Sequence, residues 1–414
     1  MKILTDTTPL RTSRAFRNLW LGGAISAVGW QFNSFAAMYA VWHLTGSSLM
    51  VGLLGLASGV PMVVIALVGS MFIDSVDRAA LARRATVGQL LTSVLMAWAV
   101  LEERVVVLIL LTGVAAALGS LAGPARRALT PTVVAPKELA AAYALVSLSF
   151  QVSMLIGPGL AALVATGFSL PVCFLLDAAS FLAALAGLRG LHRPPDPSGA
   201  DRGVGAAVAG FRFAAAQPVV RGALLCDLGA TLLAMPFALF PALNHDNFDG
   251  TPQTLAWLTT AVAVGGVTGS VCSGVITHRT HPGLVMVTCS LSWGLALIVA
   301  GSSHLLPITL GMLAIAGAAD TWAVTSRTTL VQSATPDRFR GRLSALEQVV
   351  GIGGPNLGNF RAGVVGNVIG AGPAMSLGGL TCVAAVGGII ATGRPLRHYT
   401  IAGDSTAVTP ASTG

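Results

Sequence analysis

Charge is what this chain has least of. Only 10% of its 414 residues are Asp, Glu, Lys or Arg, against about 25% in ordinary water-soluble domains. A soluble enzyme of this composition would precipitate. Lysine occurs only as Lys2 and Lys137, and no Gly-Lys-Ser or Gly-Lys-Thr exists; a phosphate-binding loop for ATP hydrolysis is therefore excluded. The seven histidines form no pair four residues apart, and the cysteines form no Cys-x-x-Cys, so the usual zinc spacings are missing. The five cysteines (Cys173, Cys226, Cys272, Cys289 and Cys382) all fall in apolar stretches. They read as buried free thiols serving as small apolar residues. No nucleophile has an attendant base. An enzyme is not expected, and neither a cofactor nor a metal is.

What is present is apolar sequence in long runs. Apolar residues make up 54% of the chain, and glycine occurs 49 times. Runs with almost no charge cover 19–42, 48–73, 85–101, 105–123, 139–165, 169–189, 219–243, 253–277, 283–301, 305–325, 341–369 and 373–392. A helix crosses the ~30 Å hydrocarbon layer of a bilayer in about 20 residues. The pattern predicts an all-α polytopic membrane protein with twelve transmembrane helices. Small residues inside the runs, as in Gly113-Val-Ala-Ala-Ala-Leu-Gly119, let helices approach closely where lipid removes the hydrophobic drive between them. The segment before Asn18 has basic residues but no apolar run, so no cleavable signal peptide is expected.

Basic residues set the expected orientation. Arg11, Arg14 and Arg17, then Arg78, Arg83 and Arg84, then Arg126, Arg127 and Lys137 fall in gaps on one side. Arg189, Arg193, Arg202, Arg212 and Arg221 follow on that side, as do Arg279, Arg327, Arg338, Arg340 and Arg342, with Arg394 and Arg397 in the tail. The other side has Arg104, with the acids Glu102, Glu103, Asp246 and Asp249. By the positive-inside rule, both termini are expected in the cytoplasm and the chain in the cell (inner) membrane. The net charge of +8 then reads as topology and contact with anionic membrane lipid, with no nucleic-acid partner.

The runs divide into two sets of six. The expected organisation is a cytoplasmic segment 1–18, a six-helix half 19–189, a cytoplasmic linker 190–218, a second half 219–392 and a cytoplasmic tail 393–414. The linker opens on His192-Arg-Pro-Pro-Asp-Pro-Ser-Gly199, and Gly205–Ala216 reads as an amphipathic helix on the membrane surface. The halves echo each other at an offset near 200 residues: Thr45-Gly46-Ser47 matches Asp249-Gly250-Thr251, and Gly157-Pro158 matches Gly354-Pro355. Such pseudo-symmetric halves place a binding cavity near the midplane, exposed to one side at a time as they rock.

Several stretches resemble the major facilitator superfamily. They are Phe16-Arg-Asn-Leu-Trp20, Asp74-Ser-Val-Asp-Arg78 and Gly123-Pro-Ala-Arg-Arg127. Gly210-Phe-Arg-Phe213, Phe240-Pro-Ala-Leu243 and the stretch Leu330–Ala345 are more narrowly similar to its enterobactin-exporter-like branch of drug and siderophore exporters. The resemblance runs over about residues 14–398. It implies the major facilitator fold and a secondary active transporter, with proton-coupled export of a small molecule (a secondary metabolite, antibiotic or siderophore). An importer or uniporter of the same fold, or a non-transporting sensor or partner protein, stays open as an alternative. The expected partners are a small-molecule substrate, protons and membrane lipid, and the expected working unit is a monomer.

The family's motif between spans two and three survives here as Asp74 and Arg78. Asp74 is a candidate conformational gate against Arg338, Arg340 and Arg342 at the start of span eleven; the other reading is that these are charges solvated at the headgroups. His278 holds the corresponding place in the second half. Acids inside membrane spans are costly and mark function by default. Asp227, Glu347 and Asp320 are the proton-coupling candidates, on helices that line the cavity in this superfamily; the other reading of each is a packed ion pair. Asp177, on an outer-layer span, reads as a structural hydrogen bond. The substrate-cavity candidates are Gln31, Asn33, Gln151 and Arg361, although Gln31 and Asn33 cannot point the same way. Arg361 suits an anionic substrate or neutralises one of the acids.

Overall fold

The computed structural model describes residues 6–73, 77–191, 204–274 and 281–392, together with Leu396 and Tyr399. Among these residues there is no strand. The first six long helices are α1 (Arg14–Thr45), α2 (Ser48–Ile73), α3 (Arg78–Leu101), α4 (Val105–Val133), α5 (Leu139–Gly167) and α6 (Leu170–Gly187). A linker helix, Val204–Ala216, follows. The second set is α7 in two pieces (Pro218–Ala234 and Phe240–Asn247), α8 (Pro252–Val271), α9 (Pro282–Ser302), α10 (Leu306–Ser333), α11 (Asp337–Ile369) and α12 (Ala371–Thr392).

Ten of these spans are long and apolar enough to cross a membrane. The other two, α1 and α11, run for 32 and 33 residues. They fall short in apolarity and not in length, since 32 residues at about 1.5 Å each reach roughly 48 Å. Their polar residues include Gln31, Ser34, Asn356 and Asn359, which line a cavity, and Asn33 and Glu347, which are buried.

The packing pairs off between the halves. Helix α1 lies on α6 as α7 lies on α12. Helix α3 lies on α4 and α6, as α9 does on α10 and α12, and α2 on α4 as α8 on α10. Between the halves, α2 packs on α11 and α5 on α8. Exchanging the halves maps each contact onto another, which is the expected pseudo-symmetry. The corners match too. Gly46 (φ 59°) and Gly250 (φ 69°) both turn the chain through the left-handed region, which glycine enters without steric cost.

Glycine also sets the spacing of the half-to-half contact. A Cβ on Gly55 of α2 would sit 2.7 Å from the Asn356 carbonyl of α11, and one on Gly363 would strike the Ser48 carbonyl. Such close backbone approach is how membrane helices gain packing energy.

Three expectations are corrected and one contact is added. Helices extend past their apolar runs at the arginine-rich end: α4 continues to Val133 and α10 to Ser333. Backbone hydrogen bonding persists beyond the apolar stretch, so Arg126, Arg127 and Arg327 stand on helices and not in loops. Helix α7 is broken: Met235 is extended (ψ 120°) ahead of Pro236, as the residue before a proline prefers. The linker helix packs against α11, with Gly210 against the backbone of Arg342 and the Phe213 ring stacked on Phe339 at 4.7 Å. Cys272 is exposed, while the other four cysteines are buried; it lies at the end of α8, outside the packed interior.

Candidate functional site

A cavity of about 750 Å³ lies between the halves, lined by α1, α2, α4 and α5 on one side and α7, α8, α10 and α11 on the other. Its volume is in the range of small-molecule sites. Amides and hydroxyls (Gln31, Ser34, Gln151, Thr321, Asn356 and Asn359) alternate with Trp30, Phe35, Phe150 and Met154. Gln31 and Gln151 both line it; Gln151 also donates to Ser270 Oγ across the halves at 3.1 Å. Asn33 touches the cavity, but its amide donates away from it to Asp177 Oδ2 at 2.8 Å. Of the three coupling candidates only Asp320 lines the cavity.

Asp227 and Glu347 are brought together elsewhere, by a residue counted from the sequence among the basic residues of the cytoplasmic gaps. Arg327 is buried, 7% exposed. Its guanidinium pairs with Asp227 of α7 through Nη1 and lies 3.8 Å from Glu347 of α11 through Nε. Gln332 donates to the other Glu347 oxygen at 3.4 Å. Counting Arg327 among the inside-rule charges is therefore corrected. Its spacing was the available signal. Asp320 and Arg327 are seven residues apart, two helical turns on one face of α10, and two buried acids on neighbouring helices require a cation.

Arg361 is also corrected: it does not line the cavity. The break in α7 leaves the Leu233 carbonyl without its helical partner, and Arg361 Nη1 donates to it. Gly378 of α12 leaves room for the guanidinium. On the other side of the break, the Ala238 amide donates to Asn359 Oδ1 at 3.2 Å. Two side chains of α11 thus satisfy the groups that the broken helix frees.

In the first half, Asp177 of α6 accepts from Asn33 of α1 and from Ser93 Oγ of α3, the latter at 2.7 Å. It is 1% exposed, and no cation pairs with it among the described residues. Of the gate candidates, Asp74 lies outside the described residues, as does His278. The side chain of Arg338 is likewise not described. Asp77 caps α3, accepting from the Ala79 amide at 2.8 Å, and Arg78 opens that helix. Arg340 and Arg342 lie in the first turns of α11, where the Arg342 guanidinium sits 5.7 Å above the Phe339 ring.

Two sets of six long helices thus enclose a cavity, with Asp177, Asp227, Arg327 and Glu347 buried in protein. The family model described as transmembrane secretion effector, of the major facilitator superfamily, matches residues 4–409. The chain belongs to that family. The secretion effectors are transporters and not enzymes. Similar curated proteins are the enterobactin exporter EntS of Escherichia coli O1:K1 / APEC, at 28% identity, and that of Shigella boydii serotype 18, at 29%. Each match runs over 367 residues, 88% of either chain. Among solved structures, the nucleoside transporter NupG superposes with a TM-score of 0.73 at 12% identity, covering 92% of this chain and 99% of that one. A bacterial homologue of ferroportin in an inward-facing state gives 0.70 at 14%, covering 93% and 99%. At such identities these structures speak for the fold alone: this secretion effector is an all-helical, multi-pass membrane protein of the major facilitator type.

Proposed function

We propose that this transporter exports a small organic molecule in exchange for protons, working as a monomer in the cell membrane with both termini in the cytoplasm. The observation that carries the reading is the buried Asp227–Arg327–Glu347 cluster beside a cavity built from both halves. Two carboxylates and one guanidinium leave one negative charge when all are ionised, and a single proton neutralises the set. Buried charge that is not compensated costs several kcal/mol, so the cluster has a physical reason to take up and release one proton. The curated relatives are named as enterobactin exporters, which supports export of a secondary metabolite, antibiotic or siderophore. The arginine-rich end faces the cytoplasm by the positive-inside rule. Exposed Leu91, Leu95 and Trp98 of α3 suit a lipid-facing surface. Asp74 and Arg78, with the arginines opening α11, act as the conformational gate.

The test is made in proteoliposomes. Asp227→Asn or Glu347→Gln abolishes uphill efflux driven by an imposed pH gradient, while counterflow of substrate down its own gradient survives, because a neutral side chain still permits the halves to rock. Normal pumping by both variants sinks the coupling. Loss of counterflow as well assigns these residues to the fold or to substrate. In cells, export is recognised by higher drug accumulation without the gene; lower accumulation favours import, and no difference across a panel favours a non-transporting protein.

A further inference from the structure

The charge balance of the cavity says what kind of molecule it accepts. Asp320 is the one charged side chain lining it among the described residues. It has no hydrogen-bond or ion-pair partner there. The nearest cation on its own helix, Arg327, is two turns away and is paired with Asp227 and placed beside Glu347. Arg361, the cation that would have favoured an anionic substrate, is held at the α7 break by the Leu233 carbonyl. The remaining polar wall offers neutral amides and hydroxyls, and the apolar wall includes the Trp30, Phe35 and Phe150 rings.

We infer that the cavity takes organic cations, an amine or quaternary ammonium carried on an apolar or aromatic body, with Asp320 as the counter-charge and anions disfavoured. This rests on the cavity being the substrate site. An unpaired carboxylate in a confined, partly apolar space repels a second negative charge and gains from a positive one, because the local dielectric is well below that of water. Aromatic faces add attraction for a cation, and none for an anion. A neutral molecule gains only the amide and hydroxyl contacts. Asp320 is thus a specificity-determining residue, separate in role from the buried Asp227–Arg327–Glu347 cluster.

The experiment uses three pyrenylbutyl probes that differ only in a permanent head group: trimethylammonium, its neutral tert-butyl isostere, and sulfonate. Binding to the purified full-length protein is read by fluorescence polarisation, without any ion gradient. The ammonium probe is expected to bind at least about tenfold more tightly than the other two, a factor worth about 1.4 kcal/mol. Asp320→Asn brings it to the level of the isostere and leaves the isostere's own affinity unchanged, whereas Asp320→Glu keeps the preference. The inference is overturned if sulfonate binds as well as ammonium, if the ammonium probe fails to bind, or if its advantage survives in Asp320→Asn. Should Asp320→Asn not fold, the three probes on the unaltered protein still decide. Because no gradient is applied, failure of proton-driven export leaves this result untouched. Conversely, a protein that pumps but prefers sulfonate remains an exporter with a different cargo.

Discussion

The two halves bury carboxylates in opposite ways. In the first, Asp177 is held by neutral donors, Asn33 and Ser93, at 2.8 and 2.7 Å. In the second, Asp227 is held by the Arg327 guanidinium, with Glu347 alongside. A carboxyl group that accepts from an amide and a hydroxyl keeps those partners whether or not it carries a proton. One that is paired with a guanidinium loses most of its attraction when protonated. The fold is duplicated, but among the described residues a buried carboxylate paired with a guanidinium occurs in the second half alone, and on the proposed reading that is the arrangement a proton would alter.

Substitutions can break or sharpen this contrast. The largest effect is expected from Arg327→Gln, which leaves Asp227 and Glu347 buried without a cation. Stability should fall by about 3–5 kcal/mol, read as a lowered unfolding midpoint in detergent, and replacing Asp227 by Asn in the same chain should restore part of the loss. If the single variant is as stable as the parent, the cluster is not the buried ion pair described. Next comes Asp227→Asn, at about 2–3 kcal/mol for a lost charged hydrogen bond. Glu347 remains to hold Arg327, so the loss should be smaller than for Arg327→Gln, and the two midpoints compared side by side test that ordering.

Arg361→Leu asks whether a half-buried arginine without an acid partner matters less. It orphans the Leu233 carbonyl and should cost about 1–2 kcal/mol, with hydrogen exchange rising around the α7 break and not in α10. Exchange that rises throughout the second half would contradict a local role. The smallest effect belongs to Asp177→Asn. The amide oxygen still accepts from Asn33 and Ser93, and the change should stay under about 1 kcal/mol, with transport retained. A loss equal to that of Asp227→Asn would erase the distinction between the halves.

Much of this was readable in the chain. The apolar runs marked the spans, Gly46 and Gly250 marked equivalent corners, and the acids inside the spans stood out against 10% charge. What the chain concealed were directions and partners. Arg327 lies six residues before the end of α10, where an arginine reads as a headgroup charge, and only the convergence of α7, α10 and α11 reveals its burial. Arg361 looked like a cavity cation because nothing local indicates that α7 breaks where its guanidinium can reach. Pro236 and Pro241 contained that information. A hydropathy window smooths over the five-residue interruption at 235–239, so the break was lost inside one apolar run.

Helix α10 is built like a camshaft. Asp320 and Arg327 stand on one face of one rod, and Gly317 and Trp322 key that rod to α8, the tryptophan through a 2.7 Å bond to the Gly269 carbonyl. A few degrees of roll would swing both charged groups together. If Asp320 meets cargo and Arg327 holds the proton store, as proposed, the two need no relay between them, because they are mounted on the same shaft.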